Sequence, residues 1–458
     1  MLVALGYFIY ESLFQERSSV EVADAEQTRN ETNATIMSES EVTQTPTAMT
    51  KSANESLSSL PGSSIAVLPF VNMSSDPEQE YFSDGISEEI LNVWAQIPNL
   101  HVTSRSSAFS FKGKEIIVSD VAQKLGVANV LEGSVRKAGN TIRITAQLIE
   151  AETDKHLWSE TYDRELTDIF AVQDEISQAI VVALKDKLNL VDKQIKLVAT
   201  TEVNPEAHQA FLKGRSLLER RSQQDLESAL AEFEKAIALE PNYAQAWMGK
   251  AWANLYLGEN NYGNIPVEVA EERATTANEQ ALLLNPKLAE SHAIKATIFG
   301  ANEEYDKADE YYAKAIALNP NFVYSYVWQA GDVDFSKPES YARRLELRRK
   351  AYQLDPLNIL TLVNYAYSLI DYGEFEQALG IAEQIKVINP QSHLSYQIQS
   401  DAYRELYQYG KSAYARKQSH KLSPNIDALF GYSFALSRLG LIDEAVAVVE
   451  GTELDILK

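Results

Sequence analysis

The pattern of hydrophobic and polar positions changes several times between residues 64 and 188, and each change predicts a new element. Ser64–Val71 is β-branched and apolar, which is typical of a buried strand. Glu80–Ile97 carries apolar residues at helical spacing and predicts an amphipathic helix. The elements predicted next are a strand at His101–Phe109, a helix at Val118–Gly126, strands joined by tight turns within residues 128–166, and a helix at Asp168–Leu188. This order favours a two-layer mixed sheet with helices.

One of these strands has a clear period of two. Its apolar face is formed by Ile142, Ile144, Ala146 and Leu148. The alternate residues, Arg143, Thr145 and Gln147, are polar. Successive side chains of a strand point to opposite faces of the sheet, so this segment predicts a strand with one buried face.

The second half of the chain is a repeat array. A short phrase that ends in proline recurs six times, at Pro241, Pro286, Pro320, Pro356, Pro390 and Pro424. The first interval is 45 residues and the others are 34 to 36 residues, and 34 residues is the tetratricopeptide period. We assign the extra residues of the first interval to a loop at Glu259–Pro266.

Small residues recur at two phases of this period, as two closely crossing helices require. Twelve residues before each proline stand Ala229, Ala274, Ala308, Arg344, Ala378 and Ser412. Five residues before each proline stand Ala236, Ala281, Ala315, Ala351, Ile385 and Ser419. Glycines fall where the first helix of a pair turns into the second, at Gly258, Gly373 and Gly440. The array therefore predicts about seven helix pairs.

The segment Ser64–Leu184 resembles a TolB amino-terminal-like domain, which is related to FlgO-type domains. The phrases that carry this resemblance are IAVLPFVNMSSDPEQEYFSDGISEEI, RSSAFSFKGK, LGVANVLEGSVRKAGNTIRITAQLI and HLWSETYDREL. The resemblance implies a bacterial membrane protein in which this domain precedes tetratricopeptide repeats. Some such proteins add a cytoplasmic nucleotide cyclase domain and others a CadC-like winged-helix domain, and neither domain is present in this chain.

The predicted fold class is an α+β mixed-sheet domain followed by an all-α tetratricopeptide-repeat superhelix. The predicted divisions are a partial transmembrane helix at residues 1–15, a disordered linker at 16–61, the TolB-like domain at 62–197 and the repeat array at 198–458. The first ten residues carry no charge but are too few to span a bilayer, which needs about 20 apolar residues. Two interpretations stay open: an amphipathic or buried helix, and the outer half of a membrane helix. The flank from Glu11 to Glu55 is poor in Lys and Arg, which favours the second interpretation.

Composition excludes several kinds of chemistry. The chain of 458 residues has a net charge of −24, which argues against a nucleic-acid-binding surface. It has no Cys and only 6 His, so disulfides, thiol catalysis and Cys-ligated metals are excluded and little material is left for a His-rich metal site. No phosphate-binding, nucleophile-elbow or zinc-protease motif occurs in the sequence. We therefore predict no catalytic residues, no cofactor and no metal.

The concave face of the array is the candidate binding site, because the first helix of every pair presents the same face there. Setting the 34-residue frame from each proline predicts six groove residues: Met248, Trp252, Tyr256, Tyr324, Tyr367 and Arg404. Aromatic residues and arginine are the types that anchor protein partners. Packing between repeats is the alternative role for the same residues.

The predicted function is a non-catalytic, membrane-tethered scaffold or sensor that binds a protein or peptide on this concave face and can form a homo-oligomer. The alternative is the interaction portion of a signalling protein whose cyclase or winged-helix output domain is not in this chain. The predicted location is the periplasmic side of a bacterial inner membrane, with the N-terminal helix as the anchor.

Overall fold

The computed structural model describes residues 63–76, 79–97, 99–115, 117–165, 203–259 and 261–450, together with four single residues between 172 and 179. All of these residues belong to one compact unit that spans residues 51–458. The predicted helix at 1–15, the predicted linker at 16–61 and most of the predicted helix at 168–188 lie outside the described residues.

The N-terminal part of the described chain is a mixed sheet with three helices, which we call the sheet module. Its strands are β1 Ser64–Val67, β2 Val71–Asn72, β3 His101–Val102, β4 Asn129–Ala138, β5 Thr141–Glu150 and β6 Lys155–Glu165. Its helices are α1 Glu80–Ala95, α2 Arg105–Phe109 and α3 Val118–Leu125. The strand order is β3-β1-β4-β5-β6, with β2 paired to β4. The pairs β1/β3, β1/β4 and β2/β4 are parallel, and β4/β5 and β5/β6 are antiparallel.

Strand β5 buries the apolar face that its sequence pattern predicts. Its four alternate apolar side chains are fully buried: Ile142, Ile144, Ala146 and Leu148. The turns on either side of β5 use residues with positive φ, Gly139 at 61° and Asp154 at 53°. Such backbone suits tight hairpin turns, so the alternation and the turn residues together determine the register.

The predicted strand at His101–Phe109 is wrong beyond Val102. Strand β3 ends there, and residues from Arg105 to Phe109 form helix α2. The side-chain oxygen of Ser104 accepts a hydrogen bond from the backbone N–H of Ser107, which satisfies one of the free donors at the start of a helix. Ser104 therefore caps the start of a helix where the sequence pattern predicted a strand.

Among the described residues, fourteen helices follow and pack as seven consecutive pairs, here called repeats one to seven. Repeats one to four are α4 Pro205–Leu218 with α5 Gln223–Leu239, α6 Ala244–Gly258 with α7 Val267–Leu284, α8 Ala289–Ala301 with α9 Tyr305–Leu318, and α10 Val323–Gly331 with α11 Ser340–Leu354. Repeats five to seven are α12 Ile359–Tyr372 with α13 Phe375–Ile388, α14 His393–Glu405 with α15 Tyr409–Leu422, and α16 Ile426–Arg438 with α17 Ile442–Glu450. The fold is a mixed sheet followed by a tetratricopeptide-like superhelix.

The small residues of the repeat signature lie where the paired helices cross. All six residues of the second phase are buried, from Ala236 to Ser419, and so are five of the six at the first phase. The exception is Arg344, whose guanidinium pairs with Asp371. The sequence period therefore marks packing positions, as expected for this class of repeat.

One apolar core runs from the sheet into the first repeats without a break. It includes Ile86 and Trp94 of α1, Phe211 and Leu212 of α4, and Trp252 of α6. At the point of closest approach, a Cβ added to Gly85 would lie 2.7 Å from Leu212 Cδ1, so only glycine lets α1 and α4 pack this tightly. A separate core holds α12 to α14 together. The module thus shares its interior with repeats one and two.

The search for membrane-spanning segments gives a negative result over the described residues: none of their helices combines the length and the apolar character needed to cross a bilayer. This finding corrects the predicted membrane anchoring and the predicted periplasmic location.

Candidate inner face of the repeats and its junction with the sheet module

Three of the six predicted groove residues lie on α6 and are almost fully covered by the chain itself. Met248, Trp252 and Tyr256 are 2%, 1% and 5% exposed. The Trp252 ring meets four other aromatic rings at centroid distances of 5.0 to 6.1 Å. Those rings are Tyr256 of the same helix and Phe322, Tyr324 and Trp328 at repeat four. Repeats two and four therefore meet at Trp252.

Arg221 lies at the edge of this aromatic cluster and contacts two of its tyrosines. Its guanidinium lies 5.0 Å from the centroid of the Tyr256 ring, and its Nη2 donates a hydrogen bond of 2.8 Å to the hydroxyl of Tyr324. Burial raises the pKa of Tyr256 and Tyr324, so both phenols stay neutral. Tyr324, a predicted groove residue, is thus partly buried and already hydrogen-bonded.

The sheet module meets the first helix of repeat one through buried charges. Glu88 of α1 pairs with Arg215 of α4 and, at 3.0 Å, with Arg105 Nε of α2. Burial alone would raise the pKa of Glu88, but the charges of Arg215 and Arg105 hold that pKa below its usual value. Glu88 is therefore ionised and shared by two arginines, Arg105 within the module and Arg215 across the junction.

Two further polar contacts connect the module to α4. His208 Nε2 lies 2.6 Å from Glu89 Oε1, and the imidazole is 1% exposed. Lys137 Nζ donates to Gln209 Oε1 at 3.1 Å. Together with the packing of Leu212 on Gly85, these contacts attach the module to repeat one by apolar and ionic contacts. We call this attachment the anchor.

A second attachment lies at the turns that begin repeats four and five, and it consists mainly of hydrogen bonds, with one apolar contact from Leu357 to the module. Asn321 Nδ2 donates to the carbonyl oxygens of Ala95 and Leu100, at 3.0 and 2.9 Å. Its Oδ1 accepts the backbone N–H of Val102 at 3.2 Å. One asparagine therefore satisfies three backbone groups of the module.

Asp355 makes the equivalent contacts one repeat further on. Its carboxylate accepts hydrogen bonds from the hydroxyls of Ser104, Ser106 and Ser107, at 2.5, 2.6 and 2.5 Å. The Ser104 N–H donates to the carbonyl of Leu354 at 2.8 Å. We call the contacts of Asn321 and Asp355 with the module the latch.

The latch covers the edge of the sheet. In β3 the N–H groups of His101 and Thr103 pair with the chain at β1, so those of Val102 and Ser104 point away from the sheet. These two outward groups are the ones that bind Asn321 and Leu354. An open strand edge can pair with another chain, and here the repeat turns prevent that.

A cavity of about 50 Å³ lies between anchor and latch. Its walls include Glu88, Arg105, Arg215, Trp252 and Asn321. That volume accommodates a few water molecules and is too small for a peptide segment. The arrangement favours a solvated polar junction over an active site.

The last two predicted groove residues lie beyond the module, on repeats five and six. Burial raises the pKa of Tyr367 of α12, and the Asp401 carboxylate beside it adds to the shift. Arg404 of α14 is 28% exposed and pairs with Asp401 at 3.3 Å and Glu405 at 3.2 Å. Asp401 also accepts from Arg416 at 2.6 Å. This part of the inner face carries both signs of charge around a tyrosine.

Among the described residues no group of three or more His, Asp or Glu is placed to hold a metal ion. Neither latch residue was predicted from the sequence. Asp355 had a weak signal: it stands one residue before a repeat proline, where the other five repeats carry Glu, Asn or Ser. Asn321 is an ordinary turn residue and had no signal.

No family model matches the sequence. A putative adenylate cyclase 3 of Rhizobium meliloti (strain 1021) is 44% identical over 183 residues, which cover 40% of this chain and 31% of that protein. The mitochondrial import receptor subunit TOM70 of Homo sapiens is 32% identical over 133 residues, 28% of this chain and 21% of that protein. The chain thus spans less than a third of either relative.

Solved structures of repeat proteins are similar at low scores. Pseudomonas aeruginosa PilF gives a TM-score of 0.36 at 17% identity, covering 45% of this chain and 88% of PilF. YrrB, a TPR protein with an unusual peptide-binding site, gives a TM-score of 0.34 at 18% identity, covering 46% and 98%. Both scores lie below 0.5, and the fold assignment depends on the helix pairs themselves.

Proposed function

We propose that this chain is a non-catalytic protein-interaction scaffold that binds a protein or peptide through the inner face of its repeats. The observation that supports it best is the stack of seven helix pairs, whose first helices present one continuous series of side chains. The six proposed groove residues are Met248, Trp252, Tyr256, Tyr324, Tyr367 and Arg404. The human relative TOM70 is named as an import receptor, which agrees with a binding role.

The sheet module, on this proposal, is a TolB amino-terminal-like domain with an interaction role. Its order of strands and helices is compatible with that resemblance, and its polar clusters at the junction are used in contacts with the repeats. The absence of catalytic motifs from the sequence supports a non-enzymatic role.

The proposal is tested by crosslinking the full chain in bacterial lysate and identifying partners by mass spectrometry. The variant is the double substitution Tyr367→Ala with Arg404→Ala, because these side chains lie on the inner face beyond the module. The matched control is Leu283→Ala with Val387→Ala, which changes two exposed side chains on second helices. A partner lost only from the Tyr367/Arg404 variant supports the proposal. Equal capture by both variants contradicts it.

A second candidate function is the interaction portion of a signalling protein with nucleotide cyclase activity elsewhere in the polypeptide. The specific observation is the 44% identity with a putative adenylate cyclase. Immunoprecipitation of the native protein distinguishes the two candidates. Peptides of a cyclase domain in the same gel band support the second, and their absence from a fully covered band supports the first.

A further inference from the structure

The junction between sheet module and repeats has two attachments of different chemistry. The anchor at repeat one combines the close packing of α1 on α4 with buried ion pairs. The latch at repeats four and five consists of hydrogen bonds made by Asn321 and Asp355. Contacts that bury little apolar surface and exchange protein partners for water open at lower cost than a packed core. The two attachments therefore differ in how easily they separate.

The surface between the anchor and the latch belongs to the inner face of the repeats, through which the proposed function would bind a partner. Helix α1 packs against α4, the first helix of the array. Trp252 and Tyr256, the aromatic candidates for binding, are buried: repeat four packs against the Trp252 ring, and α1 lines the small cavity beside it. A peptide cannot reach these two residues while the module and repeat four stay in place.

We propose that the latch is releasable, and that the sheet module is an internal occupant which keeps a partner from the inner face of repeats one to four until the latch opens. The partner in this inference depends on the proposed function. Opening itself depends on the contacts of these turns with the module and not on a partner. Repeats five to seven remain accessible in either state, because no described contact joins them to the module beyond the turn that begins repeat five.

Three observations agree with release at the latch. The latch contacts are made by residues in the turns between helices, at Asn321 and Asp355. The module side of the latch is a two-residue edge strand and a five-residue helix, which is the shortest helix of the sheet module as described. Most of the groups that separate at the latch are polar and can be solvated by water, with Leu357 as an apolar exception. Opening the anchor, in contrast, would separate the buried Glu88 carboxylate from Arg215.

The test is hydrogen–deuterium exchange on the full chain, with Asn321→Ala and Asp355→Ala as latch variants. The matched controls are Gln391→Ala and Asn389→Ala, which occupy the same positions relative to Pro390 as the latch residues do to their own prolines. We expect the latch variants to raise amide exchange in residues 99–112 by at least about tenfold, while residues 393–422 exchange as in the unmodified chain. The controls should leave residues 99–112 unchanged.

Two outcomes would overturn the inference. Unchanged exchange in residues 99–112 of both latch variants would show that the junction does not open there. Equal acceleration across the module and all seven repeats would show general unfolding. Should Asp355→Ala fail to fold, Ser106→Ala removes one hydrogen bond from the module side, and the same regional pattern is expected at smaller size. None of these readouts uses a partner, so failure of the proposed partner binding leaves the latch result intact.

Discussion

Repeats one to four and repeats five to seven share one sequence signature but differ in what covers their inner faces. In the first group the sheet module, the aromatic cluster at Trp252 and two arginines occupy the face. In the second group Tyr367 and Arg404 are only partly covered, and the packing core is separate. The signature therefore specifies how helices pair. It carries no information on which surface the chain keeps for itself.

The ion pairs of the two groups of repeats also differ in how far they are buried. Arg215 is buried and pairs with a carboxylate of another element, whereas Arg404 is 28% exposed and pairs with neighbours on its own helix. Buried pairs are costly to break because a lone charge is left in a poorly solvated site. Exposed pairs contribute little. We expect mutations in the first group to affect stability and mutations in the second group to affect binding.

Removing a buried aromatic ring should give the largest difference between the two groups of repeats. Phe233 fills the space between Gly214 and Gly249 and is fully buried, so Phe233→Ala should lower the free energy of unfolding by about 3–5 kcal/mol. Because its core is continuous with the sheet, exchange should accelerate in the module as well. Ile385→Ala should instead act on repeats five and six. Hydrogen exchange resolved by peptide checks both, and identical regional patterns would refute the division.

The next largest loss of stability is expected when one arginine is removed from the junction. Arg215→Ala leaves Glu88 with Arg105 as its only described cationic partner, and we expect a loss of about 3 kcal/mol in chemical denaturation. Arg404→Ala is the matched variant, for which we expect less than about 1 kcal/mol. Similar losses for the two arginines would contradict the contrast between a buried junction and an open face.

Acidic pH should weaken the region around β3. Burial, with a smaller contribution from Lys350, lowers the pKa of His101 from 6.5 to about 4. The unfolded chain then binds more protons between these values, so stability is complete above pH 6.5 and falls as the pH drops towards 4. The loss should be at most about 3 kcal/mol, measured by urea denaturation at several pH values. In His101→Gln this part of the pH dependence should disappear.

The smallest change in stability is expected at Asp332, where a substitution should stabilise the chain instead of destabilising it. Burial raises the pKa of Asp332 in repeat four to about 6, although the Tyr312 hydroxyl donates to it at 2.5 Å and lowers the shift. A carboxyl with a raised pKa in the folded state costs stability as the pH rises through that value. Asp332→Asn should therefore stabilise the chain by about 1–2 kcal/mol at pH 8 and by nothing at pH 4. A thermal melt at each pH checks this, and a gain at pH 4 would contradict the cause.

Much of the fold could be predicted because its periods are local. The alanines at two phases of a 34-residue repeat and the alternation from Ile142 to Leu148 record which side of an element is buried. The prediction for segment 101–109 failed because its β-branched start favours a strand, whereas the serines that follow begin a helix capped by Ser104.

The junction could not be predicted because it joins residues that are far apart in sequence. Asn321 lies more than 200 residues from its partners, and Asp355 about 250 residues from its serines. Asn321 is an ordinary residue of a repeat turn, and the Asp at position 355 is only a weak departure from the other repeats. The burial of Trp252 also results from contacts between residues that are far apart in sequence. Its position in the repeat therefore predicted the helix face on which it lies, but not the side chains that cover it.

The sealed edge of the sheet has a consequence for dividing this chain. A fragment ending after β6 would carry strand β3 with the Val102 and Ser104 donors facing solvent, ready to pair with another copy. Its opposite edge, β6, ends in charged residues that discourage such pairing. Recombinant expression of the sheet module alone should then give fibrous or precipitated material that assembles through the β3 edge only. Co-expression with the repeats should return the module to solution.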